Sequence, residues 1–179
     1  MSTPPPGTHL DHLGSAPAED AVSLLQSHHR AVSLLFAQIQ QARAADVKAV
    51  LFRQIGDTLA VHAALEEACF YPAVKERRTK GLLLESLEEH LGIKRILADM
   101  LDVSVTDPVF DAKLKILRGQ VEHHVRDEEN LLFPTVRTIF SSDELADLAD
   151  TMKDELRELD GTEPRLNVRA EMSEATFLP

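Results

Sequence analysis

Residues 62–72 read HAALEEACFYP, and residues 124–134 read HVRDEENLLFP. Each stretch places a Glu four residues after a His and adds a second Glu. Each then runs through an aromatic step into Pro72 or Pro134. One more His precedes each stretch: His29 lies 33 residues before His62, and His90 lies 34 before His124. The chain therefore carries one pattern twice: a His, then His-x-x-x-Glu one helical hairpin later. On an α-helix, positions i and i+4 project from one face, one turn apart. His62 with Glu66 can grip one ion, and His124 with Glu128 another. His29 and His90 add one ligand each from neighbouring helices. A carboxylate has two oxygens and can bridge two ions. Imidazole and carboxylate donors suit iron, manganese or zinc, and there is no cysteine set for an all-thiolate site. Helical bundle cores hold such sites, with His and Glu at helical spacing pointing inward.

Composition agrees with a helical bundle. Leu and Ala dominate, aromatics make up 4 %, Trp is absent and Gly numbers seven, a balance that favours an all-α chain. At 179 residues one domain with a substantial core is expected. The net charge of −11 argues against nucleic acid as a partner. Cys69 is the only cysteine, so no intramolecular disulfide forms, which fits a reducing, cytoplasmic location. No secretory signal opens the chain and no uncharged run is long enough to span a membrane.

Hydrophobic periodicity predicts an up-down-up-down four-helix bundle with a short fifth C-terminal helix. Residues 1–18, with Pro4-Pro5-Pro6-Gly7, read as a disordered tail. The bundle is expected over 19–160. Its first helix starts near Pro17 to Asp20 and carries Leu25, His29, Val32, Phe36 and Ile39 on one stripe. The second runs from a cap at Asp46 to about Arg78, kinked or ended by Pro72. The third spans Lys80 to Leu101. The fourth starts at Asp107-Pro108 and reaches Ile139. The fifth is capped near Ser142 and ends before Gly161. Residues 161–179 read as a mostly unstructured tail, with Leu166 and Val168 available to pack back. The repeat predicts a pseudo-twofold axis between two metal positions.

Other residues admit two readings. His28 competes with His29, which shares the apolar stripe and is preferred. His123 lies about 100° round the helix from His124 and reads as outer-shell or surface. Glu67 and Glu129 are either acceptors for ligand imidazoles or solvated charge. Tyr71 is placed stacking at the kink rather than at the metal, and Cys69 in the core.

These landmarks resemble the hemerythrin-like family, the HHE cation-binding domain. They are the stretch from His28 to Phe36, His62 through Pro72, Glu89-His90, and His123 through Pro134. The resemblance covers roughly residues 20–158. It implies a non-haem centre of two iron ions with an oxo, hydroxo or water bridge. The metal ligands are then His29, His62, Glu66, His90, His124 and Glu128. The implied partners are small molecules: oxygen, hydrogen peroxide or nitric oxide. Oxygen-carrying members supply two His one turn apart from the third helix. Here Ser86 and Lys94 flank His90 by one turn, so one metal is expected to keep an open position. Two classes of function follow: a di-iron oxidoreductase acting on peroxide, nitric oxide or ferrous iron, and a non-catalytic module that senses or stores iron or oxygen. No Ser-His or Cys-His pairing supports hydrolysis.

Overall fold

A computed structural model describes residues 20–76 and 78–173, and the expected tail over 1–18 lies outside them. The described residues form a helical bundle without strands. Helix α1 (Ala21–Gln41) packs on α2 (Ala45–Leu65), and α4 (Lys80–Met100) packs on α5 (Pro108–Asp127). Short helices α3 (Tyr71–Val74) and α6 (Phe133–Ile139) continue α2 and α5. Helix α7 (Ser142–Leu159) lies against α1, and α8 (Val168–Ser173) against α4.

The helix starts are set by local chemistry. The Asp20 carboxylate accepts from the Ser23 amide at 2.8 Å, so α1 begins with its first amides satisfied. Arg137 grips the same carboxylate at 2.8 and 3.0 Å, tying the start of α1 to α6. Asp107 caps α5 ahead of Pro108. Ser141 and Glu144 form a reciprocal capping box at the start of α7. The cap expected at Asp46 falls instead at Ala44, and Asp46 lies inside the first turn of α2.

Two apolar clusters sit at opposite ends of the bundle. One is built on Phe36, Phe52, Ile55, Leu97, Phe110 and Leu117. The other is built on Leu25, Leu65, Phe70, Leu83, Phe133 and Met152. His29 falls between Leu25 and Val32, His62 between Leu59 and Leu65, and His124 between Val121 and Leu132, so each helix crosses from one cluster to the other at its His. A polar belt is thereby enclosed between two oily caps. Such a belt is tolerated only when its groups satisfy one another or bind an ion, because unpaired buried charge costs several kcal/mol.

Two departures from the sequence-based expectation matter. Ahead of each Pro the helix does not simply kink: it widens into a π-helical turn, Glu66–Phe70 and Glu128–Leu132. Pro72 and Pro134 lack an N–H, and each ring crowds the carbonyl four residues back. The amides of Tyr71 and Phe133 reach back five residues, to the carbonyls of Glu66 and Glu128. Neither helix therefore runs unbroken to the length expected.

The second departure is residues 164–173, which are not an unstructured tail. A 3₁₀ turn, Pro164–Leu166, leads into α8. Val168 is fully buried in the first cluster. Arg165 donates to Asp57 at 2.6 Å, and Arg169 donates to the Ala98 carbonyl at 2.7 Å. Gly56 allows this close approach: a Cβ there would meet Arg165 Cβ at 3.2 Å and Leu97 Cδ1 at 3.3 Å. Gly56→Ala should therefore displace Arg165 and Leu97 by a few tenths of an ångström. The overpacking cost, offset by about 1 kcal/mol of helix propensity gained by Ala, leaves an expected net loss of about 1 kcal/mol. Chemical denaturation measures it, and an unchanged midpoint would show the segment to be loosely held.

Candidate metal centre

The repeat brings His29, His62, Glu66, His90, His124 and Glu128 together in the polar belt, all buried. They form two overlapping groups of ligand atoms. One holds His29, His62, Glu66 and Glu128, and the other holds Glu66, His90 and His124. Among the described residues Glu66 alone belongs to both. Its Oε2 lies 3.1 Å from His62 Nε2 and 3.1 Å from His90 Nε2. Glu128 Oε2 lies 3.3 Å from His29 Nε2 and 3.4 Å from His124 Nε2. Each carboxylate thus lies near its own His-x-x-x-Glu partner and near an imidazole of the other half, Glu66 with His62 and His90, Glu128 with His124 and His29.

The imidazoles are oriented from behind. His29 Nδ1 donates to Glu129 Oε1 at 2.9 Å, His90 Nδ1 to Glu67 Oε1 at 2.7 Å, and His124 Nδ1 to Glu89 Oε2 at 2.9 Å. A carboxylate only accepts, so each Nδ1 carries a proton and each Nε2 aims its lone pair inward. Glu67 and Glu129 are therefore acceptors rather than solvated charge. Glu89, read from sequence only as a neighbour of His90, has the same task.

These lone pairs face one another. His29 and His62 approach Nε2 to Nε2 at 3.2 Å, and His90 and His124 do the same at 3.2 Å. Two lone pairs at that separation repel unless a cation or shared proton lies between them. Buried Glu66 Oε1 and Glu128 Oε2 also have no hydrogen-bond donor. Nitrogen and oxygen donors converging without protons of their own fit metal cations.

Burial alone would lower the His124 pKa, but Glu128, Glu66 and Glu89 lift it well above 6.5. Burial would raise the Glu66 pKa, yet His62, His124 and His90 hold it well below the usual carboxylate range.

The two halves match about a pseudo-twofold axis, as the repeat predicts. Phe133 stacks on His29 with centroids 5.7 Å apart, and Tyr71 stacks on His90, also at 5.7 Å. The match places Tyr71 in the centre rather than outside it. Its hydroxyl lies 2.9 Å from Glu128 Oε1, 3.2 Å from Glu66 Oε2 and 3.4 Å from His90 Nε2. Burial, reinforced by the Glu128 and Glu66 charges, pushes the phenol pKa well above 10 and keeps its proton on. The π turn explains the placement: with a five-residue repeat, Tyr71 returns to the face of Glu66, which a 3.6-residue period does not allow.

Lys94 and Ser86 are both engaged. Lys94 is buried at the cavity, and its Nζ donates to Glu67 Oε2 at 2.9 Å and Glu171 Oε2 at 3.0 Å. Ser86 hydrogen-bonds Tyr71 and partly offsets the rise in its pKa. His28 is half-buried with its ring 6.0 Å from that of His62, and it belongs to neither ligand group. His123 is exposed beside Glu89 and Asp127. Above the four imidazoles lies a cavity of about 20 Å³, walled by Val32, Leu59, Ala60, Ile93 and Leu97. That is room for about one water-sized molecule.

Comparison with known proteins agrees with this architecture. A hemerythrin HHE domain protein from Mycobacterium kansasii has a crystal structure that superposes with a TM-score of 0.72 at 21 % identity, covering 88 % of this chain and 99 % of that one. A Nostoc protein described as a DNA nickase is 31 % identical over 130 residues, 73 % of this chain, and the chain spans only 37 % of that relative's length. The family model for the hemerythrin HHE cation binding domain matches residues 20–136, which span both π turns and all six converging donors, and the chain belongs to that family.

Proposed function

We propose that this chain is a non-haem di-iron protein whose centre consumes hydrogen peroxide, with His29, His62, Glu66, His90, His124 and Glu128 as ligands. The observation that carries the reading is the pair of opposed Nε2 couples joined by two carboxylates, Glu66 and Glu128. Two irons bound there supply paired one-electron couples. Dismutation of peroxide, two H₂O₂ giving two H₂O and one O₂, then needs no outside reductant. The protein supports this in three ways. The mostly apolar cavity leaves room for about one water-sized molecule and so favours a small ligand. The Tyr71 hydroxyl holds a proton at the buried carboxylates. Lys94 is held by Glu67 and Glu171 at the edge of the cavity, so α4 contributes a single nitrogen and leaves a position for the small ligand.

The net charge of −11 supports a small-molecule partner over nucleic acid. The nickase description therefore does not transfer on the matched region. Among the described residues, no helix is long and apolar enough to cross a membrane, and one cysteine among 179 residues suits a cytoplasmic protein.

Elemental analysis of iron-loaded protein should give two irons per chain, with an exchange-coupled spectrum. One iron per chain with a mononuclear spectrum would overturn the reading. Two irons with a long-lived reversible oxygen adduct and no peroxide consumption would favour the sensing or storage module.

A further inference from the structure

Three of the four inner imidazoles have a carboxylate on Nδ1, and the fourth does not. His62 Nδ1 is buried with no hydrogen-bond partner. The pseudo-twofold relation explains the gap. Helix α4 presents Glu89 and then His90, and Glu89 reaches across to His124. Helix α1 presents His28 and then His29 at the matching positions. His28 thus stands toward His62 as Glu89 stands toward His124, with the two rings 6.0 Å apart. An imidazole there leaves both Nδ1 atoms unpartnered, those of His28 and His62.

The same residue stands between the centre and the surface. His28 and Thr58 line the inner cavity with the four imidazoles. They also line a surface groove of about 640 Å³ running along α2, the end of α7 and the turn at Gly161. Two carboxylates, Asp57 and Asp160, face that groove together with Arg157.

We propose that the two metal positions are unequal: the ion held by His29 and His62 is the exchangeable one, and it loads and leaves past His28. This inference rests on the two-metal reading above. A ligand imidazole without a carboxylate behind it is free in ring orientation and tautomer and is a weaker base, and losing such support typically costs 10–100-fold in metal affinity. The groove meets the inner cavity at His28 and Thr58, beside His62. The His90 and His124 position has both supports, Glu67 and Glu89.

The test is metal release from zinc-loaded protein into excess chromogenic chelator, followed in time, with zinc content measured on the same sample. Wild-type protein should release two zinc ions per chain in two phases of equal amplitude. His28→Glu places the missing carboxylate and should slow the fast phase about 10-fold or more. The mirror variant, Glu89→His, should speed the slow phase toward the fast one. It also serves where His28→Glu fails to fold. Two ions released in one phase, or a fast phase that His28→Glu leaves unchanged, overturn the inference while the two-metal reading stands. Fewer than two zinc ions per chain in wild-type protein overturn both.

Discussion

Glu66→Gln should empty both metal positions, and Glu128→Gln should do the same, whereas removing any single His should spare one of them. Each carboxylate is buried with one oxygen near an imidazole of both couples, Glu66 at 3.1 and 3.1 Å, Glu128 at 3.3 and 3.4 Å. Gln keeps the volume but removes the charge, so the effect is not that of a cavity. Loss of the charge leaves two cations facing four neutral imidazoles and one carboxylate in a low-dielectric belt, where uncompensated charge is costly. Stability should fall with the metal. A ligand bound at about 1,000 times its Kd contributes about 4 kcal/mol to folding, and most of that contribution disappears. Glu67→Gln is the control, because Glu67 supports His90 without being a donor: its cost should stay near the 10–100-fold typical of such supports. Metal content by elemental analysis and unfolding by calorimetry read both. Equal metal loss in Glu66→Gln and Glu67→Gln would mean that Glu66 is not a shared donor.

The centre's donors are legible in the sequence because their spacing is a property of single helices. His62 and Glu66 sit one turn apart whatever the bundle does around them, and the second copy at His124 and Glu128 removes most of the ambiguity. The stripe of Leu25, Val32 and Phe36 is enough to select His29 over His28. Tyr71 is hidden for a definite reason. Its place depends on a π turn, and a reading with a constant 3.6-residue period puts it out of phase with Glu66. The signal that was available is Pro72, which forbids a regular turn just ahead of it, although a kink and a π turn share that signal. Glu89 is hidden because its partner lies 35 residues away on another helix. The C-terminal segment is hidden because its docking rests on few apolar groups, chiefly Val168, and on ion pairs such as Arg165 with Asp57. Polar residues at such spacing resemble a solvated tail.

Tyr71→Phe should leave both metals in place and remove most peroxide consumption. The repeat provides its own reference, because Phe133 occupies the matching place and stacks on His29 much as Tyr71 stacks on His90. The substitution therefore makes the two halves alike, and Phe is already known to fit the other half. It removes one hydroxyl from between Glu66 and Glu128, about 1–3 kcal/mol of buried hydrogen bonding, and it removes the one proton held against both carboxylates by a side chain outside the ligand set. Proton transfer by a positioned group contributes about 10²–10⁴-fold to a rate, so peroxide consumption per iron should fall by about 100-fold or more with metal content unchanged. Phe133→Tyr supplies the complementary arm: a second phenol beside His29 tests whether the hydroxyl works from either half or only beside His90. Oxygen evolution with an electrode, normalised to iron, measures both. If Tyr71→Phe turns over peroxide as fast as the native chain, the phenol has a packing role alone, and the proton must come from the small ligand itself or from solvent through the groove at His28.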